Sequence, residues 1–179
     1  MSIDIRLTGV LYSQIIRDLM RAHPFAAERV GFVVGRMGSR ANEDKIILLN
    51  RYHSIPDNQY IDDASVGARI GSAALTWAMQ AVYYGREGRE GIFHVHIHDH
   101  AGEPRLSAVD RRDIPALIPG FQSVGREAPH GLIVLSRNHG TSWVWLPRAT
   151  EPVRAERISV IGVPVRVYTP RRFVRRRKR

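Results

Sequence analysis

The segment His94–His100, HVHIHDH, carries four of the chain's eight histidines at every second position. Phe93, Val95 and Ile97 fill the places before and between the first three of them, and Gly91 leads the run. A period of two belongs to a β-strand, whose successive side chains point to opposite faces. The pattern predicts a strand over GIFHVHIH, with an apolar face toward the core and His94, His96 and His98 in a row on the other. His100 falls at or beyond its end. Two neighbouring imidazoles in such a row can reach one ion.

The chain has no cysteine, which excludes disulfides and thiolate chemistry and leaves nitrogen and oxygen as the only metal donors. A carboxylate arriving from a nearby helix would complete three protein ligands and leave a fourth position for water, the open arrangement of a catalytic metal site. Asp110 meets that need: it lies one helical turn after Ser107, a short loop beyond the strand. The same Ser107-x-x-Asp110 is also a plain helix start, with Ser107 as N-cap and an acid at the third position. Alternating histidines can likewise be no more than a polar strand face. It is the order of apolar strand, His-x-His, short loop and Ser-x-x-Asp that favours a metal site.

The rest of the chain supplies the scaffold. Ser2–Leu7 alternates weakly and predicts an edge strand. Leu11, Ile15, Leu19 and Ala22 recur at helical spacing, and Pro24 stands just past them. ERVGFVVGR reads as a buried strand and KIILLNRY as another after the turn-like MGSRANED; residues 53–65 read as a loop. Ile70, Ala74, Trp77, Ala81 and Tyr84 mark one face of a longer helix ended by GREGREG. Ser107 opens a short helix that Pro115 and Pro119 are expected to limit. GLIVLS and TSWVWLP flank RNHG as a hairpin, and ISVIGVPVRVY gives one more strand, with Pro164 at an edge or bulge. Two or three helices interleaved with about six strands predict an α+β, or mixed α/β, architecture.

At 179 residues the chain is most simply one domain. No run approaches the roughly 18 apolar residues of a membrane span, and MSIDIRLTG lacks the basic-then-apolar order of a signal peptide. A cytoplasmic protein is the expectation. Of the net charge of +10, seven units sit in the last nine residues, RRFVRRRKR, leaving +3 for the body. That distribution predicts a domain over 1–168 and a disordered basic tail over 169–179. The tail leaves RNA, DNA or an acidic protein surface open as secondary partners, a reading the nearly balanced body does not favour.

These motifs resemble the JAMM, or MPN-domain, metalloproteases, particularly small stand-alone bacterial members. The family pattern is a glutamate at the start of an apolar strand, then His-x-His, seven residues and Ser-x-x-Asp; the resemblance covers most of residues 5–168. Glu28, opening ERVGFVVG, matches the glutamate. Two departures stand out. Eight residues separate His98 from Ser107, and Asp99 replaces the usual proline. Taking His96 and His98 as ligands needs one inserted residue; taking His94 and His96 needs three. We take His96, His98 and Asp110 as the ligand set, with His94 the alternative to His98.

The resemblance implies an MPN/cytidine-deaminase-like sandwich, with a central mixed sheet of about six strands flanked by two to three helices. It also implies Zn2+, which lowers the pKa of a water toward roughly 7. Glu28 would be the general base that passes the proton to the leaving amine, and Ser107 would stabilise the oxyanion. The implied activity is isopeptide or peptide hydrolysis after the carboxyl tail of a ubiquitin-like protein, in deconjugation or precursor maturation. Implied partners are that protein or its conjugates, with activating and conjugating enzymes of a bacterial conjugation operon, some of which are antiviral. The loop at 53–65 lies where the family places a tail-gripping segment; Asp57, Asp62 and Asp63 there are read first as loop solubility, with contact to a basic tail or a lysine donor as the alternative. The non-enzymatic alternatives are a catalytically silent MPN scaffold or a binding module acting through the basic tail.

Overall fold

Gly91 lets the histidine strand lie tight against its neighbour. A β-carbon there would lie 1.5 Å from the carbonyl oxygen of Pro129, so only glycine allows the neighbouring chain so close. The computed structural model describes residues 1–24, 26–39, 44–62, 67–85 and 89–170. Among them are nine strands: β1 (Ile3–Thr8), β2 (Val30–Ser39), β3 (Lys45–Ser54), β4 (Glu90–Ile97), β5 (His130–Leu135), β6 (Gly140–Trp145), β7 (Val153–Arg154), β8 (Arg157–Ile161) and β9 (Arg166–Tyr168). Three α-helices accompany them: α1 (Gly9–Leu19), α2 (Ser72–Tyr83) and α3 (Ala108–Val124), with a short 3-10 turn at Asp57–Gln59.

All nine strands join one mixed sheet, ordered β7-β6-β5-β4-β2-β3-β1-β8-β9 and curled into a half-barrel. This corrects the expected fold class. The molecule is mostly sheet, not a sandwich of about six strands flanked by helices. The apolar stretch ISVIGVPVRVY is not one strand but two, β8 and β9, folded back antiparallel, and β7 is a two-residue strand too short to leave a periodic signal. β1 is not an edge strand either. It lies inside the sheet, parallel to both β3 and β8. On its polar side Asp4 pairs with Arg6 and with Arg157, while Ile3, Ile5 and Leu7 are buried on the other.

β4 lies between β2, antiparallel, and β5, parallel. Phe93 and Val95 face α1, which contributes Leu11, Tyr12, Ile15 and Leu19 to that core. Ile92 faces the other core with Phe32, under Ala74, Ala78 and Val82 of α2 and Ile118 and Phe121 of α3. α3 runs seventeen residues, straight through Pro115 and Pro119, where a short helix was expected. Both prolines are exposed, so the carbonyls their rings leave unbonded face water, while Ile114, Ile118 and Phe121 stay buried on the sheet. Apolar burial outweighs two missing hydrogen bonds. The turn before β3 and the GREGREG segment lie partly, and the tail from 171 onward wholly, outside the described residues.

β4, α3 and β5 form a strand–helix–strand crossover, which brings the carboxyl end of β4 to the amino end of α3. Its far end is fixed by a fully buried histidine. His130 accepts a hydrogen bond at Nδ1 from the Ile92 N–H (3.3 Å), and its Nε2–H donates to the Gly125 carbonyl (3.0 Å). Those bonds suit the neutral ring, and burial lowers its pKa below the ordinary 6.5. Below about pH 6.5 the unfolded chain takes up a proton that the folded His130 refuses, so stability falls as pH drops. In thermal melts from pH 7 to 5, His130→Gln is expected to show a shallower loss of stability than the parent.

Candidate metal centre

The crossover places two imidazoles and a carboxylate at one point. His96 is fully buried on β4, and His98 follows directly, its N–H donating to the Leu135 carbonyl (2.9 Å) so that the pairing with β5 continues past the strand end. The two side chains share a face, and their Nε2 atoms stand 3.1 Å apart. Asp110 Oδ1 lies 3.3 Å from His96 Nε2, and Oδ2 lies 3.6 Å from His98 Nε2. In a tetrahedral site with metal–ligand bonds of about 2.1 Å, neighbouring ligand atoms are about 3.4 Å apart. The His96–His98 and His96–Asp110 Oδ1 separations lie near that edge length, while Asp110 approaches His98 through its other oxygen. Together with Glu28, the ligand atoms all lie within 4.8 Å of one another, and the cluster could hold a metal ion.

The helix-start reading of Ser107-x-x-Asp110 holds, and the same carboxylate lies in the cluster. The Ser107 N–H donates to Asp110 Oδ2 (2.7 Å), and the Asp110 N–H donates to Ser107 Oγ (3.0 Å), a complete capping box. The helix start is therefore the device that aims the carboxylate. Burial alone would raise the pKa of Asp110. The imidazoles of His96 and His98 and the Ser107 N–H outweigh it and hold the carboxyl well below its ordinary range. His98 is pushed up, chiefly by its hydrogen bond to Asp110 against the opposing effect of burial.

Glu28 stands just before β2. Val30 pairs with His96 in the antiparallel register, which carries Glu28 opposite His98. Its Oε2 is 4.0 Å from His98 Nε2, longer than the three ligand separations. It thus faces the cluster without closing the tetrahedron. Burial raises its pKa, against the opposing pull of the histidines. Two features unseen in the sequence hold it there. Gly67 accepts the Glu28 N–H at 2.9 Å, and a β-carbon at 67 would lie 2.5 Å from Glu28 Oε1. Arg29, with its side chain fully buried, donates to the carbonyls of Arg21 (2.8 Å) and Ala22 (3.2 Å) and to Asp57 Oδ1 (2.8 Å). It clamps the segment between α1 and β2 that carries Glu28. Lone glycines and arginines are too common for sequence to have marked either one.

His94 does not join the cluster. It is buried beside Phe32, with its ring centroid 5.6 Å from that of His96, and burial pushes its pKa down to about 3. His100 is exposed past the strand end. Asp57, the first of the loop acids, is taken up by Arg29 and Arg21; Asp62 is exposed, and Asp63 lies outside the described residues. A cleft of about 620 Å³ reaches Glu28 and His98, walled by the end of α1, Ala26 and Ala27 on one side and Asp99 and Arg137 on the other.

No protein-family model matches the chain, and no curated protein matches it. Among solved structures, the chain is similar to the Trichoplax adhaerens STIL N-terminal domain at 11% identity and a TM-score of 0.36, over 78% of this chain. The chain spans 40% of the length of that structure. A likeness at this level carries no argument about fold or function.

Metal analysis of the purified protein checks the ligand set. His96→Ala and Asp110→Asn are expected to lose the bound ion, whereas His94→Leu retains it. Loss in the His94 and His96 variants with retention in His98→Ala would shift the centre to His94 and His96.

Proposed function

We propose that the chain is a zinc-dependent hydrolase of the JAMM type, cleaving an isopeptide or peptide bond after the carboxyl tail of a ubiquitin-like protein. The observation that carries this reading is the cluster of His96, His98, Asp110 and Glu28, whose ligand atoms all lie within 4.8 Å of one another. Two nitrogens, one oxygen and an open position suit zinc. The reading rests on this donor set and its order in sequence, not on the strand count of the sheet. Substrate class follows from the motif resemblance alone.

His96, His98 and Asp110 would hold the ion, which when bound supplies a Lewis acid and lowers the pKa of water to about 7. Glu28 takes the proton of the attacking water and delivers it to the leaving amine. Burial raises its pKa, which favours uptake of that proton. Ser107 uses its Oγ lone pair for the Asp110 N–H, which leaves its hydroxyl proton to donate to the oxygen that gains charge. Asp110 stays ionised because the capping box and the imidazoles favour the charged form. The cleft along α1 receives the leaving group on the side of Glu28.

Zinc-loaded protein assayed on fusions and lysine conjugates of ubiquitin-like proteins tests the proposal. Glu28→Gln should keep its zinc and lose at least about 10²-fold in turnover. Unchanged cleavage would remove Glu28 from the reaction, and protein that takes up no zinc would favour a catalytically silent scaffold. Ser107→Ala should cost about 10²–10³ in turnover and also about 1 kcal/mol of stability through the lost cap. Ser107→Asp, which keeps a side-chain acceptor for the cap but has no hydroxyl proton to donate, separates the two effects.

A further inference from the structure

Among the described residues no strand pairs with the outer edge of β9, at the end of the sheet away from β4. Val163, Val165 and Val167 alternate along β9 and the turn leading into it. Each is more than half exposed, as are Ile161 on β8 and Val10 on α1. Single exposed apolar residues are ordinary, but a row of them on an open strand edge marks a contact surface. From the structure we infer that β9 takes up an extended acidic segment of a partner protein as an additional strand, with acidic side chains turned toward Arg17 and Arg166. The inference is independent of the hydrolase reading, because no residue of the metal cluster takes part.

Charge selects the partner. One face of the edge looks onto a groove of about 500 Å³ between the start of α1 and the β8–β9 turn. Arg17 and Arg166 line it, and no carboxylate does. The Arg166 guanidinium lies 5.6 Å from the Tyr12 ring centroid, and Tyr12 Oη is 3.1 Å from Tyr168 Oη, which fixes the end of β9 against α1. The cation is positioned without being neutralised. Just past β9, beyond Pro170, follow the last nine residues with their seven positive charges. On the opposite face, Val165 and Val167 stand beside Arg6 and Arg157, both already paired with Asp4. An added strand therefore meets unneutralised arginines on one side and apolar surface on the other. Acidic and apolar residues in alternation match both.

Other occupants fit less well. Antiparallel pairing with a second copy would bring Arg166 and the basic tails of both chains together, and like charges across strands repel. Nucleic acid and anionic lipid offer negative charge but no strand for the edge backbone to pair with.

Fluorescein-labelled peptides of four Glu-Val, four Lys-Val or four Glu-Ser repeats, titrated with the full chain and read by polarisation, test the inference. The Glu-Val peptide is expected to bind at least about tenfold tighter than the other two. Methylating its backbone nitrogens at every second residue blocks one edge of the strand, so one of the two methylated forms is expected to lose binding. Arg166→Glu is expected to weaken binding at least about tenfold. Arg17→Glu, on a different element, is expected to act in the same direction. Equal binding of the Lys-Val peptide, full binding of both methylated forms, or affinity unmoved by both charge reversals would overturn the inference. So would failure of the Glu-Val peptide to bind, whether or not a thymidine oligonucleotide or phosphatidylserine vesicles bind instead. Self-association that Val167→Lys abolishes would assign the edge to a second copy and overturn it as well.

Discussion

The Asp110 carboxylate is where the forces in this molecule meet. It is almost wholly buried, an environment that opposes its charge. Three contacts reverse the balance: the Nε2 atoms of His96 and His98, and the N–H of Ser107. The backbone contact is a helix cap, so the local rule that starts α3 also orients a ligand atom. The imidazole contacts come from β4, so the alternation that makes a strand also sets the other two donors. A change that shifted α3 along its axis, or slipped β4 by one residue, would leave a buried charge without partners. Slippage by one would also exchange the histidine row for the apolar row. Core packing and site geometry are thus one constraint.

Glu28 depends on a different set of forces. It reaches the cluster because β2 pairs antiparallel with β4, Val30 opposite His96. Its carboxylate is confined by Gly67, from the chain beyond β3, and its backbone is steadied by Arg29. Burying a guanidinium is costly unless every donor is used. Here its bonds go to two carbonyls at the end of α1 and to Asp57 near the 3-10 turn, which ties three stretches of chain together around the cleft. Asp57, which from its loop position looked available to a ligand, is consumed in that clamp.

The sheet extends well beyond what the centre requires. β4, β2, β5 and α3 suffice to assemble the donors, whereas β1, β8 and β9 lengthen the sheet on the far side of β3 and bury Ile3, Ile5 and Ile158 against α1. On the other flank β6 supplies Trp143 and Trp145, which line a pocket behind Asp110. The expected architecture of about six strands was too small because β8 and β9 were read as one run and β7 was too short to be seen. Among the described residues no helix is long and apolar enough to cross a membrane.

By itself the sequence determined those features that depend on neighbours along the chain. The period of two over residues 91–98 made β4 a strand with one apolar and one imidazole face, and Ser-x-x-Asp set the start of α3. Zero cysteines limited the donors to nitrogen and oxygen. Tertiary structure decided what depends on distance in space. It separated His94 from His96 and His98, because only the latter pair stands at the open end of β4, where α3 arrives. It carried α3 through two prolines, because a buried face outweighs bonds lost to solvent. It also brought Gly67 and Arg29 to Glu28 from segments that no spacing rule connects. Periodicity fixes which way a side chain points; only the packed sheet fixes what it points at.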